Sequence, residues 1–364
     1  MNKFSNLIWC VGGVLLLSGC QSVGPDAIRS AHPSYNESIV KTNSEQLLLN
    51  IVRLKYCETP YFLEVGNVVE NRKSTARLGF SGTGLKNHHE YNLQAGVAYA
   101  EFFQNPTITF SPLRGEQFTK SMATPISMPL IVGLMQTGWS AKRVLSLCVE
   151  RLNNLDNAST ASGPTPKHPP QFKEFEECVK IINRLHKNDQ LIFGLDQSNH
   201  PKLVMKLAGS GKFQSDIIDL KRRLNLDLTK SEFRFVSNFF DTKEGESLPV
   251  RTRSLMEVLF FLSHAVQVPS TDIEKGLFEQ TVSKDGSLFD WEHQLSGDWL
   301  RVFCSDEKKI PDNAYICVRY RNHWFYIADN DFNSKRTFML VKHLFELQSG
   351  NPNAAVPSLV IGTN

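Results

Sequence analysis

The chain has 364 residues, 41% of them hydrophobic and 24 of them Phe, which is enough apolar surface for substantial cores and a length expected of about two domains. Its 40 basic and 37 acidic side chains nearly cancel to a net charge of +3. There is no block of like charge and no basic stripe interleaved with aromatics, so nucleic acid is excluded as an expected partner, since binding it rests on clustered Lys and Arg against phosphates.

The most apolar run, "LIWCVGGVLLLSGCQS" (7–22), follows a short basic start at Lys3. It is too short for a span, which needs roughly 20 apolar residues. Its layout is that of an export signal, with small residues before a cut. Leu17-Ser18-Gly19-Cys20 is similar to the lipobox of bacterial lipoproteins, in which the bond between Gly19 and Cys20 is cleaved and Cys20 is lipidated. Gln21 rather than Asp follows, which by the enteric sorting rule directs such a lipoprotein to the outer membrane, facing the periplasm. A lipoprotein of this kind carries about three acyl chains, and several chains hold durably where one does not. The membrane is therefore an expected partner through the lipid.

The organisation expected from the sequence is a signal peptide (1–19), a lipidated tether (20–33), an α+β domain (34–152), a Pro-rich linker or loop (153–170) and a second α+β domain (171–364). In the first domain, Thr42 and Glu45 have capping-box spacing ahead of an apolar face at Leu47, Leu48, Ile51 and Leu54, with Pro60 as a stop. Four strands then alternate with Gly/Asn-rich turns: "YFLEVGNVVEN", "TARLGFSGTG", "YNLQAGVAYAEFF" and "TITFSPL". Residues 115–152 read as helix in pieces, the last being "AKRVLSLCVERLNNL". "NNLDNASTASGPTPKHPPQ", with four prolines between 164 and 170, is the best boundary in the chain.

Beyond it, "FKEFEECVKIINRLHKND" is a helix, while 190–245 has no clear period. "RSLMEVLFFLSHAVQV" is the strongest helix, with Ser254 and Glu257 as a capping box. "LRVFCS", "AYICVRY" and "WFYIAD" alternate as strands, the last two joined across Arg321-Asn322-His323. "SKRTFMLVKHLFELQSGNP" is a final helix and "AVPSLVIG" a terminal strand. The fold class is α+β, with antiparallel sheets and packed helices.

Once Cys10 leaves with the signal and Cys20 is lipidated, five cysteines remain: Cys57, Cys148, Cys178, Cys304 and Cys317. Cys304 and Cys317 sit in strands that could be neighbours and are the main candidates for a disulfide; Cys148 and Cys178 are a second pair. The alternative is five small buried apolar side chains. No CxxC and no Cys/His spacing of a zinc site occurs.

Chemical motifs are near misses. "GFSGTG" (79–84) lacks the second glycine of a nucleophile elbow, having Thr83 there, and "KLAGSGK" has Lys206 where a P-loop needs glycine. Adjacent His88-His89-Glu90 point to opposite strand faces. Asp329, Asp331 and Asn333 open like a calcium loop, but Ser334 and Leu340 break it, so a polar turn capping the last helix is expected. His264 reads as a satisfied histidine at the core edge, and Trp299, Trp324, Phe325 and Tyr326 as core rather than a ligand groove. Carboxylates such as Glu116, Asp290, Glu292 and Asp298 are available for hydrolysis if a pair faces a cleft.

Three blocks, "YNESIVKTNSEQLLLNIVRLKYCETPYFLEV", "PTITFSPLRGEQFTKSMATPIS" and "VRYRNHWFYIADNDFNSKRTFMLVKHLFELQSG", resemble a family of uncharacterised bacterial lipoproteins, departing from it at Asn322-His323, where the family has a glycine and an aromatic. The resemblance implies the lipoprotein address and brings no activity, cofactor or catalytic residue. The expected function is a non-enzymatic structural or assembly component of an envelope complex, with other envelope proteins as partners and no cofactor or metal. The alternatives are a periplasmic binding module for lipid or peptide, and an envelope-polymer hydrolase.

Overall fold

The computed structural model describes residues 25–77, 99–196, 202–208, 211–237, 245–292 and 299–349. Gly19 and Cys20, the 79–84 and 88–90 motifs, Asp298 and the expected terminal strand lie outside the described residues. The described chain is α+β. Its residues up to Tyr61 and from Arg114 form one compact unit, and the ribbon Phe62–Leu113 forms another.

The larger unit begins with α1 (Pro25–Lys55). Thr42 does not cap this helix but lies within it, its hydroxyl bonded to the carbonyl of Ser38 at 2.7 Å. Ser38 and Ser44 bond back to the carbonyls of Ser34 and Val40 in the same way. These hydroxyls are satisfied inside the helix, so helix replaces part of the expected 20–33 tether. The expected apolar face is buried: Leu48, Ile51 and Val52 are fully enclosed.

Helices α2 (Glu116–Ala123), α3 (Met128–Gln136) and α4 (Ala141–Cys148) follow. The backbone then turns extended at Val149, so the expected long helix through Leu155 becomes α4 and β3 (Val149–Leu152). A short β4 (Leu155–Asp156) and α5 (Lys173–Lys187) come next. The region without a clear period contains β5 (Leu191–Leu195), β6 (Leu203–Leu207), α6 (Gln214–Arg223), β7 (Glu232–Val236) and β8 (Ser247–Thr252). These strands form one sheet in the order β4-β3-β8-β7-β6-β5, antiparallel except for the β7–β8 pair.

Helix α7 (Leu255–Ser263) carries the expected capping box: Glu257 N–H donates to Ser254 Oγ at 3.3 Å, and Ser254 N–H donates to the Glu257 carboxylate at 2.6 Å. A short α8 (Ser270–Glu274) leads to a second sheet, β9 (Phe303–Ser305), β10 (Ala314–Tyr320) and β11 (His323–Ala328), and then to α9 (Phe332–Ser349). Arg321 and Asn322 form the two-residue hairpin loop with φ of 44° and 74°, a left-handed conformation that asparagine tolerates well. Asp331 caps α9 by accepting from the N–H groups of Asn333 and Ser334, and Asp329 pairs with Lys335 at 2.6 Å, so this is the expected polar turn.

The 153–170 segment is not a boundary between compact units. Its polar groups are built into the core by Arg253, which is 0% exposed. The guanidinium donates to the carbonyls of Ser146 and Leu147 (both 3.1 Å), Val149 (3.2 Å) and Asn157, and to Ser162 Oγ (2.9 Å), while lying 4.2 Å from the Phe261 ring centroid. Asn157 Nδ2 donates to the carbonyls of Ser146 and Val149, and Thr281 Oγ1 donates to that of Pro166. Prolines here lack N–H groups, so such a loop can be enclosed with fewer donors to satisfy.

In the smaller unit, β1 (Phe62–Arg77) and β2 (Tyr99–Leu113) pair antiparallel. Among the described residues, β1 runs from the first expected strand into the start of the second, and β2 from the end of the third through the fourth, while most of the expected second and third strands lies outside the described residues. The ladder runs straight through the supposed turn, with Asn71 opposite Asn105 and Arg72 opposite Gln104.

Removing the guanidinium orphans several buried carbonyls, each costing about 1–3 kcal/mol. Arg253→Met should therefore destabilise the larger unit by roughly 3–5 kcal/mol in urea unfolding. Arg253→Lys should fall between it and the wild type, because an ammonium supplies three donors against five.

Candidate functional site

A cavity of about 470 Å³ opens in the larger unit. Its wall comes from five places: Lys55 at the end of α1, His264 to Pro269 after α7, Ile273 in α8, Phe289 to Glu292, and Cys304 with Asp306. The charged and sulfur-bearing groups arrive from remote parts of the chain because α1, α7 and β9 converge here.

Lys55 is 4% exposed and forms no hydrogen bond or ion pair among the described residues; its ammonium lies 5.5 Å from the Phe278 ring centroid. Burial pulls its pKa down to about 8. An amine that is partly neutral near neutrality, in a cavity wall, suits capture of an anionic or carbonyl group. His264 is buried, and its Nε2–H donates to the Ala161 carbonyl at 3.0 Å, with the ring stacked 4.4 Å from that of Trp291. Burial, aided by the Lys55 charge, holds its pKa down at about 3. The expectation of a satisfied histidine at the core edge holds for Nε2 only: Nδ1 is buried without a hydrogen-bond partner among the described residues, and the ring also forms cavity wall.

Asp290 and Glu292 both line the cavity, but Glu292 is paired with Arg301 at 3.2 Å and accepts from Gln267 at 3.3 Å. Glu116 is elsewhere, in an exposed ion pair with Lys120. Trp299 lies under Lys142 and Arg143, Phe325 is fully enclosed, and Tyr326 stacks on Phe303. None of these aromatics forms a groove floor in the cavity.

The expected Cys304–Cys317 bridge does not form, and both thiols are free. The sheet order is β10-β11-β9, so β11 lies between the two cysteines: Cys304 is opposite Phe325, and Cys317 opposite Tyr326. Strands two places apart in a sheet are about 9.5 Å from each other, beyond disulfide reach. Cys148 and Cys178 are also free and buried, and burial pushes both thiols up to about 12, which makes them inert. Burial likewise raises Cys304 to about 12, with the Asp306 and Asp272 carboxylates adding to it. Beside it, the Tyr56 hydroxyl donates to Asp272 at 2.8 Å, a buried contact that raises the phenol pKa further after desolvation.

Cys304 meets Asp306 and His323 at the cavity edge, their ligand atoms all within 4.8 Å of one another. Sequence spacing had no means of finding this group, because Asp306, just past β9, and His323, at the start of β11, are 17 positions apart. Lys55 was equally hidden, being one polar residue at the end of an amphipathic helix.

A different surface belongs to the ribbon. Leu63, Val65 and Val68 of β1 stand opposite Pro112, Phe110 and Ile108 of β2. A register shift between Val65 and Val68 keeps all six on one face. Leu63, Ile108 and Phe110 are 38%, 41% and 54% exposed. Glu64, Thr107, Thr109 and Ser111 occupy the other face.

The fold and these two features define an α+β chain with a cavity of mixed polar and apolar lining in one unit and a half-apolar ribbon in the other. No family model, curated protein or solved structure matches it.

Two outcomes are expected at the cavity. Pulsed reductive methylation should modify Lys55 with a half-point near pH 8, against about 10.4 for ordinary lysines, as read by peptide mass spectrometry. His264 has a lower pKa folded than unfolded, so the unfolded chain binds the extra proton between about pH 6.5 and 3, and stability is lost as pH falls through that window. The urea midpoint of the wild type should therefore drop more steeply there than that of His264→Phe.

Proposed function

We propose that this chain is an outer-membrane lipoprotein, anchored through Cys20 and facing the periplasm, that acts as a non-enzymatic component of a cell-envelope assembly. The observation that carries the reading is the ribbon. Its unit contains, among the described residues, only β1 and β2, and neither outer edge has a partner strand. An isolated two-stranded hairpin is at best marginally stable in water, and an unpaired edge is a template for another strand. An apolar face beside two open edges is the surface of a subunit that completes its sheet with a neighbour. The lipobox-like "LSGC" and the resemblance to uncharacterised lipoproteins supply the address.

The cavity favours a second reading, a binding module for a small anionic ligand of lipid or peptide origin. Lys55 is the supporting observation: a buried ammonium in a cavity wall is costly unless a counter-charge visits it. A hydrolase gains less support, since Glu292 is already held by Arg301 and Gln267.

The test is purification of the full-length protein from membranes in mild detergent, followed by crosslinking and mass spectrometry. Assembly predicts reproducible crosslinks from residues 62–113 that Ile108→Asp with Phe110→Asp removes, leaving the unfolding of the larger unit unchanged. Cys20→Ser should lose both membrane retention and those crosslinks. A monomer without partners in every form sinks the assembly reading.

A further inference from the structure

We propose that Cys304, Asp306 and His323 bind a zinc-class divalent cation, with one coordination position open towards the cavity. The site is made by strand register. β9 pairs with β11 so that Cys304 faces Phe325 and Ser305 faces Trp324, and Asp306, the residue just past β9, meets the His323 side chain at the start of β11. Side chains two apart on a strand share a face, and cross-strand neighbours share it too. One thiol, one carboxylate and one imidazole are thereby presented to the same point, their ligand atoms within 4.8 Å of one another. His323 Nδ1 and an Asp306 carboxylate oxygen are paired with each other at 2.5 Å, a contact that coordination would replace with one bond from each to the ion.

The donor set selects the metal class. Calcium and magnesium take oxygen ligands, whereas a thiolate with an imidazole and a carboxylate suits zinc and its spectroscopic substitute cobalt(II). Three protein ligands leave a fourth tetrahedral position, the pattern of zinc sites that accept water or a ligand group. Two of the three ligands, Cys304 and Asp306, are also cavity wall, so the vacancy is supplied from that side. Coordination releases the Cys304 proton to solvent and leaves a thiolate–metal bond, with no change of oxidation state.

Surrounding groups hold the ligands in place. The Cys304 N–H donates to Gln267 Oε1 at 3.3 Å, Gln267 donates in turn to Glu292, and Glu292 is paired with Arg301. Such supporting contacts orient ligands and tune affinity. The sheet order that keeps Cys317 away from Cys304 also leaves the Cys304 thiol available.

The experiment is a cobalt(II) titration of chelator-treated, reduced full-length protein in detergent, followed in the near ultraviolet, with zinc added back. One equivalent of cobalt should produce a thiolate-to-cobalt charge-transfer band that zinc abolishes. Cys317→Ser should keep the band, Cys304→Ser should lose it, and His323→Gln should weaken cobalt affinity about tenfold or more. His323 is at a hairpin end, so its variant tests the site without disturbing the buried strand. Cobalt binding without the band, a band that survives Cys304→Ser, or unchanged affinity in a folded His323→Gln protein would overturn the assignment.

Discussion

The larger unit depends on where the donors of one guanidinium go. Helix α4 ends with carbonyls that have no partner of their own, at the negative end of the helix dipole. Arg253 sits against that end with no exposure, taking the carbonyls of Ser146 and Leu147 and then that of Val149 in β3. Because Ser254 begins the next helix as its cap, the same short stretch also fixes the start of α7. Burial lowers the Arg253 pKa to about 10, so the group stays charged in neutral solution, and the dense ring of carbonyls compensates that charge.

This explains which parts of the fold were legible in the sequence. Helices α5, α7 and α9 and the β10–β11 hairpin follow from periodicity, caps and turn chemistry, all local signals. The 153–170 segment misleads because its composition is that of a linker, while its enclosure is decided by a residue about 90 positions later, as in the Arg253–Ser162 contact. The Thr42 capping signal fails for a comparable reason. A threonine followed three positions later by glutamate marks a helix start only where the chain upstream is not already helical, and here it is.

The cavity was hardly legible at all. Its residues were visible individually, but His264 looked like the core edge and Cys304 like half of a bridge, and Lys55 gave no signal of its own. What joins them is sheet order and helix convergence, which no spacing rule encodes. The placement of β11 between β9 and β10 alone changes Cys304 from a disulfide half into a free thiol facing a carboxylate and an imidazole. The ribbon was legible as β structure, yet its length was not, since polar residues in a paired ladder resemble polar residues in a turn.

The pairing of β3 with β8 also bears on how the chain reaches its native state. Val149 and Arg253 are 104 positions apart, and β3 has only the two-residue β4 as its other neighbour. Contacts of such high sequence separation form only after a large loss of chain entropy, so they come late and slow folding. A nascent chain ending before Ser247 can assemble the β5–β6–β7 meander from nearby residues, but it leaves β3 without its main partner and the end of α4 without its cation. Completion of the larger unit therefore waits for the last third of the polypeptide, where the partner strand of β3 and the cation at the end of α4 are encoded.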